Sequence, residues 1–314
     1  MKKLAVVAFG GNALLRAGQK GTISEQEKNA FETCEHLVPL IQNGYNLVIT
    51  HGNGPQVGNI LLQNIAGAKM HGVPEMPLDI CGAYSQGFIG YIIEQQLRNA
   101  LEANGIKVDI ITLITQVLVD KNDAAFQNPT KPIGPYYSKE EIEKLSSETN
   151  SKYKEDAKGN GWRKVVASPI PTHISNKKSI AKLAREGNIV IAVGGGGIPV
   201  FYVEPNKLEG IDAVIDKDLA SSLLSTQIAA DEFYILTDVP KVCINFNKPN
   251  QVRLDRLTVS DAEKYLAEGQ FADGSMGPKI KACIQFIKNG GKKAIITEAS
   301  QLQNKNAGTK IVLV

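Results

Sequence analysis

Leu4-Ala5-Val6-Val7-Ala8-Phe9-Gly10-Gly11-Asn12 is the stretch on which the fold turns. Six apolar residues in succession offer no polar face to water, as expected of a strand in a sheet covered on both sides, and two glycines then stop it. The phrase recurs. Asn46 to Thr50 runs into His51-Gly52-Asn53-Gly54, Ile189 to Val193 into Gly194 to Gly197, and Phe233 to Thr237 into Asp238. Further strands are predicted at Asp109 to Val119, Ala294 to Thr297 and Ile311 to Val314. Longer amphipathic segments lie between them, and that alternation is the pattern of parallel strands joined by crossover helices.

The first helix is expected from a capping box at Ser24-Glu25-Gln26-Glu27, with Phe31, Cys34, Leu37, Val38 and Ile41 at helical spacing and a kink at Pro39. A second carries Val57, Ile60, Leu61 and Ile65, and a third spans about Leu78 to Ala103. Two more open near Asp216 and at Gly277-Pro278, where proline suits the first turn. Residues 120–171 break the rhythm with Pro, Lys, Asn and Gly, a short helix after Ser138 and a hairpin around Lys158 to Gly161. This excursion could be a lid or a disordered linker; Tyr136, Tyr137, Tyr153, Trp162 and Val165 to Ala167 argue for order.

The bulk properties narrow the function classes. The chain has 314 residues, and its 35 Lys plus Arg against 32 Asp plus Glu leave a net charge of +3, too balanced for nucleic acid or an acidic membrane as main partner. Cys34, Cys81, Cys243 and Cys283 form no Cys-x-x-Cys pair and sit in apolar stretches, as reduced thiols of a cytoplasmic protein would. No signal-peptide cleavage region or membrane-length apolar run is seen, so a soluble, unprocessed chain is expected. His36, His51, His71 and His173 do not fall at metal-ligand spacing, and no metal-binding residue is predicted.

Four glycine-rich turns are read as following predicted strands: Gly10-Gly11-Asn12, Gly52-Asn53-Gly54, Gly194 to Gly197, and the later Gly274-Ser275-Met276-Gly277-Pro278-Lys279. Glycine there is common punctuation, and Asn53-Gly54 could be a hairpin turn. Their repetition at the carboxyl ends of strands instead outlines one oxyanion site built of backbone N–H groups. Neither the P-loop nor the dinucleotide fingerprint is present. Asp216-Lys217-Asp218 opens a helix, so a lysine and the positive end of the dipole could meet a phosphoryl group. Lys279 repeats the arrangement. Lys131 lies among Pro129, Pro132 and Pro135, a rigid turn that either exposes a lysine or aims it. No general base stands out, which fits a nucleophile that is already an anion.

Phe9 to Ala13, His51 to Gly58, Asn128 to Pro135, Gly194 to Pro199, Ala213 to Asp218, and Gly274-Ser275-Met276 with Pro278-Lys279 together resemble the carbamate kinases of the amino acid kinase superfamily over nearly the whole chain. The resemblance implies an open αβα sandwich with a mainly parallel central sheet and a small protruding subdomain at about 120–171. It implies a carbamate-binding half at about 1–176, a nucleotide-binding half at about 177–314, and usually a homodimer. The implied reaction is ATP + carbamate = ADP + carbamoyl phosphate with Mg2+, often run toward ATP at the end of arginine or agmatine breakdown. By motif, Gly10, Gly11, Asn12, Gly52, Asn53 and Gly54 would hold carbamate and the phosphoryl group. Lys131, Lys217 and Lys279 would neutralise charge, with Asp218 organising lysines. Gly195, Gly196, Thr237, Asp238, Val239, Phe246, Gly274, Met276 and Pro278 would bind the nucleotide. Many superfamily members place a lysine just before the Gly-Gly turn; here Val7, Ala8 and Phe9 stand there, and Lys131 is expected to supply that charge. The family pattern Glu-Asp-Ala-Gly-Arg-Gly-Trp-Arg becomes Glu155-Asp156-Ala157-Lys158-Gly159-Asn160-Gly161-Trp162-Arg163, one residue longer and short of an arginine that Lys158 could partly replace.

Overall fold

The structure, a computed structural model, describes residues 2–314 apart from Ala17, Thr149, Asn150, Ala157, Lys158, Asp273, Gln303 and Lys305; the side chains of Asn12 and Glu148 also lie outside the description. The expected role of Lys158 therefore falls outside the described residues.

An eight-stranded sheet forms the centre. Its strands are β1 (Leu4–Phe9), β2 (Asn46–His51), β3 (Ile110–Thr112), β4 (Ile189–Ile191), β5 (Glu232–Leu236), β6 (Arg256–Thr258), β7 (Lys293–Thr297) and β8 (Thr309–Val312), in the order β6-β8-β7-β5-β1-β2-β4-β3. The pairs from β7 across to β3 are parallel, while β8 runs antiparallel to β7 and carries β6 with it. The period-2 alternation of β1 divides its side chains between two cores. Leu4, Val6 and Ala8 join one, and Ala5, Val7 and Phe9 the other. Fully burying such a side chain contributes about 1.5–3 kcal/mol, so both faces require a covering layer. On the first face lie α4 (Lys177–Arg185), α5 (Lys217–Gln227), α6 (Val259–Ala267) and α7 (Met276–Lys288); on the second lie α1 (Ile23–Glu35) and α3 (Leu78–Ala103).

The described residues of the excursion form regular elements. Lys131–Tyr137, Trp162–Val166 and Lys152–Glu155 form a small antiparallel sheet, with a helix at Lys139–Glu148. Ile133 and Val166 enter a third apolar cluster with Val57 and Leu61 of α2 (Gly54–His71) and Leu78 and Cys81 of α3. The contact is close because Gly58 faces Gly134: a Cβ on Gly58 would lie 2.0 Å from the Gly134 Cα. No other residue at position 58 lets the arm carrying Lys131 seat against α2 in this way.

Four expectations change. The run Asp109 to Val119 is two strands, β3 and Gln116–Val119, the second belonging to a four-stranded sheet with Ile198–Glu204, Lys207–Gly210 and Pro171–Ile174. Gln86 on α3 draws the chain out of the central ladder between them, accepting from Thr115 N at 2.8 Å and donating to Thr115 O at 3.1 Å. The capping box of α1 is Thr22 with Glu25, two residues earlier than expected: Glu25 N donates to Thr22 Oγ1 at 3.4 Å, and Thr22 N to Glu25 Oε2 at 2.9 Å. Pro39 does not kink α1; that helix ends at Glu35 and Pro39 sits in the first turn of a new one, Val38–Gln42. The Gly274 turn follows α6 and precedes α7, not a strand.

Candidate active site

β1 is the point at which the sheet's connections diverge, with β2 on one side and β5 on the other, and ligands of open α/β sheets collect beyond the carboxyl ends of such strands. A cleft of about 590 Å³ lies there, lined by Gly10 and Gly11 after β1, Gly52, Asn53 and Gly54 after β2, and Thr237 and Asp238 after β5. Lys131, Gly195, Lys217, Asp218, Gly274, Pro278 and Lys279 complete the wall.

Two helices point uncapped amino termini at this space. Asn53 holds the N-cap position of α2, but its amide donates to Ser85 Oγ at 2.8 Å instead of capping. Gly195 leaves room for that arrangement, since a Cβ there would lie 2.1 Å from Asn53 Nδ2 and its φ of +65° is left-handed. At α7, Ser275 makes no side-chain cap bond. At α2 the N–H groups of Gly54 and Gln56 thus keep unmet hydrogen-bonding capacity, whereas at α7 Gly277 N donates to Ala272 O at 2.9 Å and Pro278 has no N–H, which leaves that of Met276. Both helix starts still put a partial positive charge beside the cleft, favourable to oxyanions.

The third helix start, that of α5, is organised differently. Asp216 caps it, accepting from Asp218 N at 2.9 Å and Leu219 N at 3.2 Å on Oδ1, while Oδ2 accepts from Lys131 Nζ at 2.6 Å. Asp218 takes one lysine on each oxygen, Lys217 Nζ at 2.5 Å and Lys279 Nζ at 2.8 Å. Burial alone would raise the Asp218 carboxyl, but Lys217 and then Lys279 outweigh it and hold the group well below the usual carboxylate range. Burial would also raise Asp216, and Lys131 draws it down. Burial lowers Lys217; Asp218 opposes this, Lys279 adds to it, and the net shift is downward. Burial works against Lys279 as well, yet the charge and hydrogen bond of Asp218 raise it. His51, buried beneath the cleft, is pushed down to about 4 by desolvation and stays neutral near pH 7.

Around the start of α5 three ammonium groups meet two carboxylates, and two helix amino termini add to this local surplus of positive charge; Arg16, Glu32, Asp238 and Glu298 also line the cleft. Charge neutralisation around a transferring phosphoryl group is what this arrangement can do. Among the described residues no three His, Cys, Asp or Glu side chains gather as a metal cage, and the Asp216 and Asp218 oxygens already serve lysines and the start of α5.

Of the residues singled out in the sequence, Gly196, Val239, Phe246 and Met276 do not line the cleft, and the side chain of Asn12 lies outside the description. Phe246 is 55% exposed, and Met276 packs against the larger core. Sequence reading passed over Asp216 as a functional residue. Its signal was there, an Asp just before a helix, which is a preferred N-cap; its tie to Lys131, 85 residues away, was not legible.

The fold and the lysine-ringed cleft define a phosphoryl-transfer class, and residues 3–298 match the model of the amino acid kinase family. The carbamate kinase of Trichomonas vaginalis is 50% identical over 311 residues, 98% of this chain and 98% of its own. That of Pyrococcus horikoshii is 48% identical, covering 99% of each. The solved structure of the Giardia lamblia carbamate kinase bound to AMP-PNP superposes with a TM-score of 0.90 at 44% identity, over 99% of this chain and 98% of the other. The chain belongs to the amino acid kinase family and, within it, to the carbamate kinases; it is a kinase.

Proposed function

We propose that the enzyme catalyses ATP + carbamate = ADP + carbamoyl phosphate in both directions. The observation that carries this reading is the Lys217–Asp218–Lys279 array set between two uncapped helix amino termini. A carbamate oxygen attacks the γ-phosphorus, the bond from that phosphorus to the β-γ bridging oxygen breaks, and the electron pair leaves on ADP. No proton moves, so no general base is required. Gly10, Gly11, Asn12, Gly52, Asn53 and Gly54 hold carbamate and the phosphoryl group through backbone N–H groups and the asparagine side chains. Lys217 and Lys279 neutralise the equatorial and leaving oxygens, Asp218 fixes their spacing, and Lys131 comes in from the arm.

Gly195, Thr237, Asp238, Gly274 and Pro278 hold the nucleotide. Gly196, Val239 and Met276 support them from behind, and the exposed Phe246 is available to cover the base. Mg2+ enters on the phosphates of the nucleotide, as part of that substrate. The carbamate-binding half is 1–176, with the arm at 120–171, and the nucleotide-binding half is 177–314. Ile80, Tyr84, Gly87 and Tyr91 form an exposed stripe along α3 at helical spacing, which supports a homodimer. Production of ATP at the end of arginine or agmatine breakdown in the cytoplasm is the physiological setting we infer. No helix among the described residues is long and apolar enough to cross a membrane.

The test supplies purified protein with ADP, Mg2+ and carbamoyl phosphate and measures ATP. Production well above the enzyme-free control is expected; none would overturn the reading.

A further inference from the structure

Behind the carboxyl-terminal strands lies a second, larger cavity of about 900 Å³ that the phosphoryl-transfer site does not use. It sits on the second face of the sheet. There α1 and α3 build the core, and over β5, β7 and β8 the wall is instead a turn running through Gln301 and Leu302. The alternation of the strands decides what faces it. Ala5 and Ile295 point to the second core, so Lys3 and Lys293, each two residues away, point to the same side, as does Lys310, the register partner of Ile295. Lys2 also lines the space.

The charges do not cancel. Among the described residues Glu232 is the one carboxylate paired with these lysines, with Lys3 at 3.1 Å and Lys293 at 3.3 Å. Each ammonium has three donors; Lys3 gives one to Glu232, and Lys293 is paired with the same carboxylate. Among the described residues, Lys2 and Lys310 form no ion pair. Four lysines against one carboxylate leave a surplus of about three positive charges around a floor that includes Tyr234 and Ile295. Lys293 and Lys310 are only partly exposed, and their spare donors beside an apolar floor suit a phosphate on a small organic body, with the exposed Lys2 and Lys3 adding charge at the rim.

The cavity also adjoins the cleft. His36 lines both, and a single stretch of chain walls them off from each other: Glu298, Ala299 and Ser300 face the cleft, while Thr297, Gln301 and Leu302 face the cavity. We propose that this cavity is a second binding site, for a phosphate-bearing small molecule, and that its occupancy shifts the 297–302 wall of the active-site cleft.

The experiment measures binding of inorganic pyrophosphate by calorimetry to protein already saturated with AMP-PNP, which occupies the nucleotide part of the cleft, and substitutions of the cavity lysines separate the cavity from the carbamate part that stays open. One further binding equilibrium is expected, weakened at least tenfold by Lys310→Ala and by Lys293→Met. A KM for ADP that moves at least twofold on adding a phosphate-bearing probe, and not in Lys310→Ala, is expected alongside. No binding beyond the AMP-PNP-protected site, or binding indifferent to both substitutions, overturns the proposal. Binding that leaves KM unchanged keeps the site and overturns its coupling to the cleft.

Discussion

Lys131 Nζ lies 2.6 Å from Asp216 Oδ2, and this contact joins the protruding arm to the amino terminus of α5, across 85 residues of sequence. Asp216 caps that helix with its other oxygen, so one carboxylate fixes both the helix start and the lysine of the arm. Asp216→Asn keeps the cap and weakens the hold on Lys131. We expect kcat/KM to fall roughly tenfold to a hundredfold, and Asp216→Asn combined with Lys131→Ala to be no worse than Lys131→Ala alone, because the two act as a unit. Additive losses in this double-mutant cycle would show that they act separately.

Lys217→Ala and Lys279→Ala each remove one arm of the Asp218 array. Steady-state assays should show kcat reduced on the order of 10² or more, the scale for losing a donor that acts in the transition state. A change confined to KM would place the lysine in ground-state binding only.

Gly58→Ala places a Cβ 2.0 Å from the Gly134 Cα while leaving every charged group intact. Overpacking costs about 1–3 kcal/mol, partly offset by the better helix propensity of alanine, worth about 1 kcal/mol. Activity should therefore fall much further than the melting temperature, because the strain is relieved by lifting the arm from α2. A variant with wild-type turnover would show that the seat does not position Lys131.

Burial lowers Lys217 in the free enzyme, and bound phosphates favour its charged form. The alkaline limb of kcat/KM, which reports free enzyme, should begin below the ordinary lysine value of about 10.4, and the limb of kcat should lie at higher pH. Coincident limbs would mean that Lys217 does not meet the phosphates.

Glu232, nearly buried at the start of β5, accepts from Lys3 and the Tyr234 hydroxyl and forms an ion pair with Lys293. Burial would raise its carboxyl, but Tyr234 and then the lysines hold it below the usual range. A depressed carboxyl contributes stability that is present above its unfolded value and lost as pH falls through the folded one. Glu232→Gln should cost roughly 1–3 kcal/mol near neutral pH, discounted because Lys3 is well exposed, and the gap to wild type should close in acid. Chemical denaturation at pH 7 and at successively lower pH, carried below the ordinary glutamate value of about 4.3 until the folded carboxyl titrates, measures it; a gap that persists at the acid end would assign the loss to packing.

Strand and helix identities follow closely from local pattern. β1 and α3 stand where the apolar runs put them, because six buried residues in a row, or a 26-residue amphipathic stretch, admit few other conformations. The carbamate kinase motifs were equally legible, being short segments whose chemistry depends on adjacent residues. The single run read across Asp109 to Val119 failed for a tertiary reason: Gln86, on a helix elsewhere, supplies the hydrogen bonds that divide it.

The sequence alone therefore determined the α/β class, the family and three of the cleft's lysines, since each rests on neighbours along the chain. Only the tertiary structure decided that Asp216 holds Lys131, that Gly58 seats the arm against Gly134, and that Lys3, Lys293 and Lys310 face one cavity. Those relationships join residues far apart in the chain. Their energies depend on distance, burial and packing after folding, quantities with no local signature for a sequence to carry.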